Sequence, residues 1–183
     1  EPLYTQNFPL KCGKGSAYEG GIREPMIVRW PGTVQPGTRC NDYLIIEDFY
    51  PSILEMAGID DYDVPQEIDG ISFVPLLKQT KNPSQGRSLY WNCPNIWGEK
   101  GPGIGPSCTI RKDNWKMIYF YETGEKELYD IPNDIEENNN VAALYPQIIN
   151  KLSKELGKFL RQTNGQRPSF KKTGKPCPWP DEI

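Results

Sequence analysis

The sequence contains no histidine among its 183 residues, which removes both the commonest general base and the commonest metal ligand. Any chemistry the chain performs must use Lys, Tyr, Asp, Glu or Cys. It has no C-x-x-C pair either: Cys12, Cys40, Cys93, Cys108 and Cys177 stand apart, so a zinc site is not indicated. Because five is odd, at least one thiol stays unpaired within the chain. Cys93 and Cys108 bracket a loop rich in Gly and Pro, and the sequence leaves open whether they close it as a disulfide or remain free thiols. An excess of positive charge is also missing. With 21 Lys and Arg against 24 Asp and Glu, there is no basic footprint for nucleic-acid phosphates, and nucleic acid is not an expected partner. No apolar run approaches the roughly 20 residues that span a bilayer, and the first residues lack the charge and apolar core of a signal peptide. A membrane is therefore not an expected partner, and the residues alone do not identify a compartment.

What is present begins with a glycine-laden loop from Leu10 to Gly21, Leu-Lys-Cys-Gly-Lys-Gly-Ser-Ala-Tyr-Glu-Gly-Gly, of the kind that lets a backbone approach something closely. Pro25 to Trp30 is a short apolar run closed by Pro31-Gly32 and reads as a largely buried strand in need of neighbours. A second short run covers Tyr43 to Ile46. Phe49, Ile53, Leu54 and Ala57 then share one face of a helix over Asp48 to Ala57, with Pro51 in its first turn and Gly58 ending it. Ser72 to Lys78 reads as a short helical piece.

After a polar linker from Gln79 to Gly86, the character changes to short strands: Arg87 to Asn92, Ser107 to Lys112, Trp115 to Tyr121 and Lys126 to Asp130. Asp113-Asn114 and Thr123-Gly124 supply the turns, and the spacing predicts an antiparallel sheet of about four strands. Ile148, Ile149, Leu152, Leu156, Phe159 and Leu160 make one apolar stripe on a helix from about Leu144 to Gln162, suited to covering one face of that sheet. Pro168, Pro176, Pro178 and Pro180 exclude a helix from the tail, which reads as an extended wrap or a disordered segment.

Lys14, flanked by Gly13 and Gly15, is a compact charge on a backbone without obstructing β-carbons, and so a candidate oxyanion binder. The loop is not a nucleotide P-loop, because that pattern requires glycine where Phe8 stands and Ser or Thr where Gly15 stands. In isolation a lysine in such a loop is more often solvated surface than a ligand. The longer string decides otherwise. Leu10 to Pro25, with its G-K-G loop followed by Y-E-G-G-I-R-E-P, closely resembles the corresponding segment of type I, formylglycine-dependent sulfatases, the arylsulfatase family. The resemblance continues through Arg29-Trp30-Pro31-Gly32, Asp48 to Gly58, Asp69-Gly70-Ile71-Ser72, Pro75-Leu76-Leu77, Trp115-Lys116-Met117-Ile118 and Glu127-Leu128-Tyr129-Asp130. It covers the chain from Leu10 to about Gln162.

The resemblance implies an α/β plus α+β fold. Residues 1–78 would be the C-terminal part of a large alkaline-phosphatase-like α/β domain, 79–165 a small C-terminal α+β domain, and 166–183 a Pro-rich tail. It implies hydrolysis of sulfate esters, with carbohydrate or aryl sulfates as the substrate class, and assigns Lys14 as the lysine that contacts the substrate sulfate. The formylglycine nucleophile, made in a C/S-x-P-x-R motif, and the Ca2+ held by Asp and Asn residues belong upstream of the G-K-G loop. No cysteine here has that context: the nearest, Cys177-Pro178-Trp179-Pro180-Asp181, fails it. The expected partners are therefore the N-terminal part of the sulfatase and a sulfated small molecule or glycan. The piece alone is expected to be inactive and to bind no cofactor itself. Family resemblance suggests a periplasmic, secreted or lysosomal setting.

Glu19, Arg23 and Glu24 flank a tight Gly-Gly turn and read as ion pairs that fix geometry, and Cys12 reads as buried or disulfide-bonded rather than reactive. The loop from Pro94 to Pro106 carries Asn95 and Trp97, candidates for substrate contact at an entrance, against the alternative of an ordinary surface loop. Many relatives carry histidines around the strand end that is Tyr90 to Pro94 here, where this sequence has Asn92 and Asn95. Two other functions stay open at this level: a phosphodiesterase or phosphonate hydrolase of the same superfamily, and a non-catalytic glycan- or protein-binding module.

Overall fold

The structure, a computed structural model, describes residues 5–59, 61–96 and 101–183. In chain order its helices and strands are α1 (Glu19–Ile22), α2 (Phe49–Met56), α3 (Val74–Leu77), β1 (Ser88–Cys93), β2 (Ser107–Lys112), β3 (Trp115–Phe120), β4 (Lys126–Asp130) and α4 (Pro146–Gln162). They fall into two compact units, one of the described residues up to Glu24 together with Ser88–Ile183, the other Pro25–Arg87.

The first unit is built on a four-stranded antiparallel sheet in the order β1-β2-β3-β4. Each strand follows its neighbour because the connections between β2, β3 and β4 are tight turns. Asp113 takes φ 52° and Gly124 φ 76°, backbone angles that Asp and Gly tolerate at little cost and that suit the twist of a hairpin. The register sets Ile110 opposite Met117, and Met117 opposite Leu128. These three side chains share a face, which α4 covers with Leu152, Leu156 and Leu160. Pro146 starts that helix at its first position, where its missing N–H is no loss. Asn164 ends it at φ 51°, letting Gly165 N–H donate to the Leu160 carbonyl at 2.7 Å.

The Pro-rich tail takes the extended wrap of the two forms expected of it. Ser169 and Pro176 make an antiparallel bridge, and Cys177 and Trp179 are buried in the same core as α4. Cys93 and Cys108 are both free thiols. Cys108 stands opposite Asn92 while Cys93 stands opposite Ser107, so the two are one step out of register. Side chains alternate between faces along a strand, and Cys93 is exposed where Cys108 is buried. Residues 5–24, grouped by the sequence reading with the segment up to 78, here pack on the sheet face opposite α4, where Tyr18 joins Ile118, Tyr129 and Ile131.

In the second unit, Asp48 is fully buried and organises the loop entering α2. Its carboxylate accepts the N–H groups of Ile45 at 3.1 Å and Ile71 at 2.9 Å and pairs with Arg87 at 2.7 Å. The strand expected over Pro25 to Trp30 does not form, and neither does the run at Tyr43 to Ile46: both are irregular, the latter leading into a 3-10 turn at Ile46–Asp48. A strand exists only through ladder partners. Among the described residues no segment pairs with this one, and Ile27 is 97 % exposed.

The sheet and α4 share one core, so its centre should be sensitive to truncation. Leu156→Ala, at a fully buried position, is expected to lower stability by about 2 to 5 kcal/mol, read as a fall in the urea midpoint against a small effect for the exposed Lys158→Ala.

Candidate functional site

The glycine-rich loop folds as a tight knot of backbone on backbone. Asn7 N–H donates to the Cys12 carbonyl at 2.8 Å, Ser16 N–H to Gly13 O at 3.1 Å and Gly20 N–H to Lys11 O at 3.1 Å, while the Asn7 side-chain amide donates to Gly20 O at 2.7 Å. The glycines are required by this closeness. A β-carbon at Gly13 would collide with the Thr5 carbonyl, at Gly20 with the carbonyls of Lys11 and Cys12, and at Gly21 with that of Ser16. Gly15 has open space around it but lies at φ 85°, which a side chain would strain. At the crest of this turn stands Lys14, exposed, and it makes no hydrogen bond or ion pair among the described residues.

The sequence on both sides of Lys14 is anchored to the sheet. Three residues before it, Lys11 Nζ donates to the Glu137 carbonyl at 2.9 Å and to the Tyr129 hydroxyl at 3.3 Å. The same ammonium lies 4.0 Å from the centroid of the Tyr18 ring, a cation–π contact. After Lys14, Ser16 Oγ donates to Pro102 O at 3.1 Å and Ala17 N–H to Gly103 O at 2.9 Å. Tyr18 and Tyr129 both donate their hydroxyls to Glu127 Oε2, at 2.8 and 2.9 Å. Burial, reinforced by the Glu127 charge, pushes both phenols far above the usual tyrosine range, so they remain donors at any physiological pH.

Beneath the loop lies a buried charge cluster. Lys116 of β3 is 0 % exposed, and its ammonium sits 3.0 Å from Glu19 Oε1 and 2.9 Å from Glu137 Oε1. Glu137 is also 0 % exposed, and its other oxygen accepts the Glu19 backbone N–H at 2.6 Å. Arg111 lies 3.5 Å and Arg23 3.1 Å from Glu19 Oε2. Burial alone would raise the Glu19 carboxyl, but Lys116, with Arg111 and Arg23, holds it below the usual range. At Glu137 burial wins and the carboxyl is raised, although Lys116 and the Glu19 N–H pull the other way. Glu137 adopts φ 52°, a left-handed conformation that costs a non-glycine residue about 1 to 2 kcal/mol and is kept only where surrounding contacts demand it.

Glu19 and Arg23 thus have the ion-pairing roles expected of them, as parts of a larger assembly. Burial, outweighing the lowering effects of Ser16 and Lys11, raises the Cys12 thiol, which keeps it protonated and unreactive. Asn95 is exposed after β1 and makes no hydrogen bond among the described residues; Trp97 lies outside the described residues. Sequence reasoning missed Lys116, Glu137, Lys11 and Glu127. Lys116 had a signal, being the one charged residue in the otherwise apolar strand Trp115–Phe120, whereas Glu127, beside Lys126 in a mixed strand, gave none. Glu137, in an acidic stretch after β4, gave no signal. The loop also borders a cavity of about 290 Å³ lined by Phe8, Leu10, Lys11, Glu136 and Asn138 among others.

Comparison with known proteins places the chain in a family. Residues 12–163 match the model of the N-sulphoglucosamine sulphohydrolase C-terminal domain. A sulfatase of Formosa agariphila is 29% identical over 189 residues, covering 96% of this chain and 34% of its own length. An N-acetylglucosamine-6-O-sulfatase of Bacteroides thetaiotaomicron is 31% identical over 152 residues, covering 81% of this chain and 26% of its own. Among solved structures, Ps i-CgsB superposes with a TM-score of 0.72 at 29% identity, over 90% of this chain and 34% of that one. The chain therefore spans between about a quarter and a third of the length of these relatives.

Removing Lys116 leaves the buried Glu137 carboxylate without its cation and Glu19 with only Arg23 and Arg111, whereas neutralising Glu137 leaves Lys116 paired with Glu19. Lys116→Met is accordingly expected to cost about 3 to 5 kcal/mol near pH 7, well above the cost of Glu137→Gln. Because Glu19 has a depressed pKa, its contribution is present above its ordinary value of 4.5 and is lost as pH falls through the lower folded value. The stability gap between wild type and Lys116→Met should hence shrink in denaturant titrations as pH drops below that range.

Proposed function

The chain belongs to the N-sulphoglucosamine sulphohydrolase C-terminal family, and on that premise we propose that it is the C-terminal part of a sulfatase in which Lys14 binds the substrate sulfate. The observation that supports this reading is the state of Lys14 itself: an exposed ammonium, uncommitted among the described residues, on a turn whose flanks are both tied to Glu137 in the connection after β4. A cation held in this way is available to an incoming anion with little of its backbone left to organise. As the S–O ester bond breaks, negative charge grows on the bridging oxygen. An ammonium directed at the sulfuryl or leaving oxygen stabilises that charge more than it stabilises the intact ester. With no histidine in the chain, an acid for the leaving group comes from elsewhere in the protein or is shared by Lys14.

The nucleophile, a formylglycine in this reading, and the Ca2+ that supports it lie on residues outside this chain. Among the described residues, no group of three or more Cys, Asp and Glu side chains is disposed to hold a metal ion. On this reading the piece alone is inactive, because its nucleophile lies outside it. Carbohydrate sulfates are the substrate class we favour. One relative is named as an N-acetylglucosamine-6-O-sulfatase, and Ps i-CgsB has been solved in complex with k-i-k-neocarrahexaose. The cavity beside the loop joins an exposed aromatic ring, Phe8, to the amide of Asn138, groups suited to the apolar face and hydroxyls of a sugar. Asn95 and Trp97 remain candidates for further substrate contact. No helix among the described residues is long and apolar enough to cross a membrane, and family resemblance favours a periplasmic, secreted or lysosomal setting.

The test is hydrolysis of a chromogenic aryl sulfate by the intact protein, produced with the formylglycine-generating enzyme. Lys14→Ala is expected to lower kcat/KM by about 10²- to 10³-fold. Unchanged activity in that variant would remove Lys14 from the sulfate site.

A further inference from the structure

We infer that Glu137 and Lys116 are positioning residues for the sulfate site: through Glu19 and Lys11 they clamp both flanks of the loop that presents Lys14. This inference rests on the reading of Lys14 as the sulfate-binding residue. Glu137 meets the loop twice. Its carboxylate accepts the Glu19 N–H at 2.6 Å, five residues after Lys14, and its carbonyl accepts Lys11 Nζ at 2.9 Å, three residues before it. Lys116 then locks the carboxylates of Glu137 and Glu19 onto β3.

Stability gives little reason for such a cluster, since buried ion pairs are commonly matched or bettered by well-packed apolar side chains. What ionic and hydrogen-bonded contacts provide beyond apolar packing is a defined register. Apolar packing lets a loop slide by fractions of an ångström, while a carboxylate shared between an ammonium and a backbone N–H fixes its position. The left-handed backbone of Glu137 has the same sense: a strained residue is retained where its orientation matters. Neither Glu137 nor Lys116 has any exposed surface, so neither can touch the substrate, and their effect on catalysis must pass through the loop.

A double-mutant cycle in the intact protein tests this by comparing Glu137→Gln in the Lys14 and Lys14→Ala backgrounds, with kcat and KM for an aryl sulfate and the thermal midpoint measured for each. Glu137→Gln is expected to lower kcat/KM by about 10- to 100-fold where Lys14 is present, as loop displacement on the ångström scale does. In the Lys14→Ala background it should change kcat/KM by less than about twofold, because the residue being positioned is gone. A merely structural role predicts the same loss in both backgrounds, and that result overturns the inference, as does full activity of Glu137→Gln. If Glu137→Gln does not fold, Lys11→Met unties the other flank and carries the same two expectations. A silent Lys14→Ala is a separate outcome: it removes the sulfate-site reading and the positioning role with it, whereas a damaging Lys14→Ala with additive losses removes only the positioning role.

Discussion

The buried ammonium of Lys116 is the constraint on which the sheet and its loop depend. A lysine with no exposed surface keeps its charge only if carboxylates come to it, and these arrive from two distant parts of the chain, Glu19 in the loop and Glu137 in the connection after β4. Neither could be placed by local sequence. The cluster therefore forms only once strand order, register and loop path are all correct, which makes it a mark of the finished fold rather than of any one element.

That dependence gives the two faces of the sheet different work. On one, Ile110, Met117 and Leu128 pack against the apolar stripe of α4, where exchange of one hydrophobe for another of similar volume is tolerated. On the other, Lys116, Arg111, Glu127 and Tyr129 stand among Ile118 and Tyr18, and ion pairs and hydrogen bonds join the polar groups to the loop. The first face holds the sheet together, and the second determines where the loop lies on it.

The first face was legible in the sequence because short β-former runs between turn residues mark the strands and a period-3.6 apolar stripe marks the helix. Strands β1 to β4, the turn at Asp113-Asn114 and the helix ending near Gln162 could be read for that reason. The second face was not. Lys116 and Glu127 are charged residues in short strands, which read as facing water, and only the tertiary arrangement shows that a loop covers them. Pro25 to Trp30 failed for the converse reason: its apolar run has strand composition, but composition supplies no ladder partner. At the loop itself, the glycines and Lys14 could be picked out by chemistry and resemblance. Glu137, the residue that holds both flanks, sits in an acidic stretch that resembles any solvated connection.

Three lysines of this region have three fates, and the contrast gives Lys14 its meaning. Lys116 is buried and neutralised on carboxylates, and Lys11 is laid across two tyrosine rings with its ammonium bonded to a carbonyl and a hydroxyl. Lys14, with glycine on either side and no partner among the described residues, is left uncommitted, as the proposed sulfate-binding role requires. Folding has already removed most of the freedom of the backbone beneath it, so in the proposed role an anion would have mainly the side-chain rotamers to order, about 1.5 to 2 kcal/mol rather than that plus several residues of loop. The same contacts that make the cluster a poor way to gain stability make the loop a good place to hold a cation still. On this account, the energetic cost under the loop and the availability of Lys14 above it are one feature of the fold.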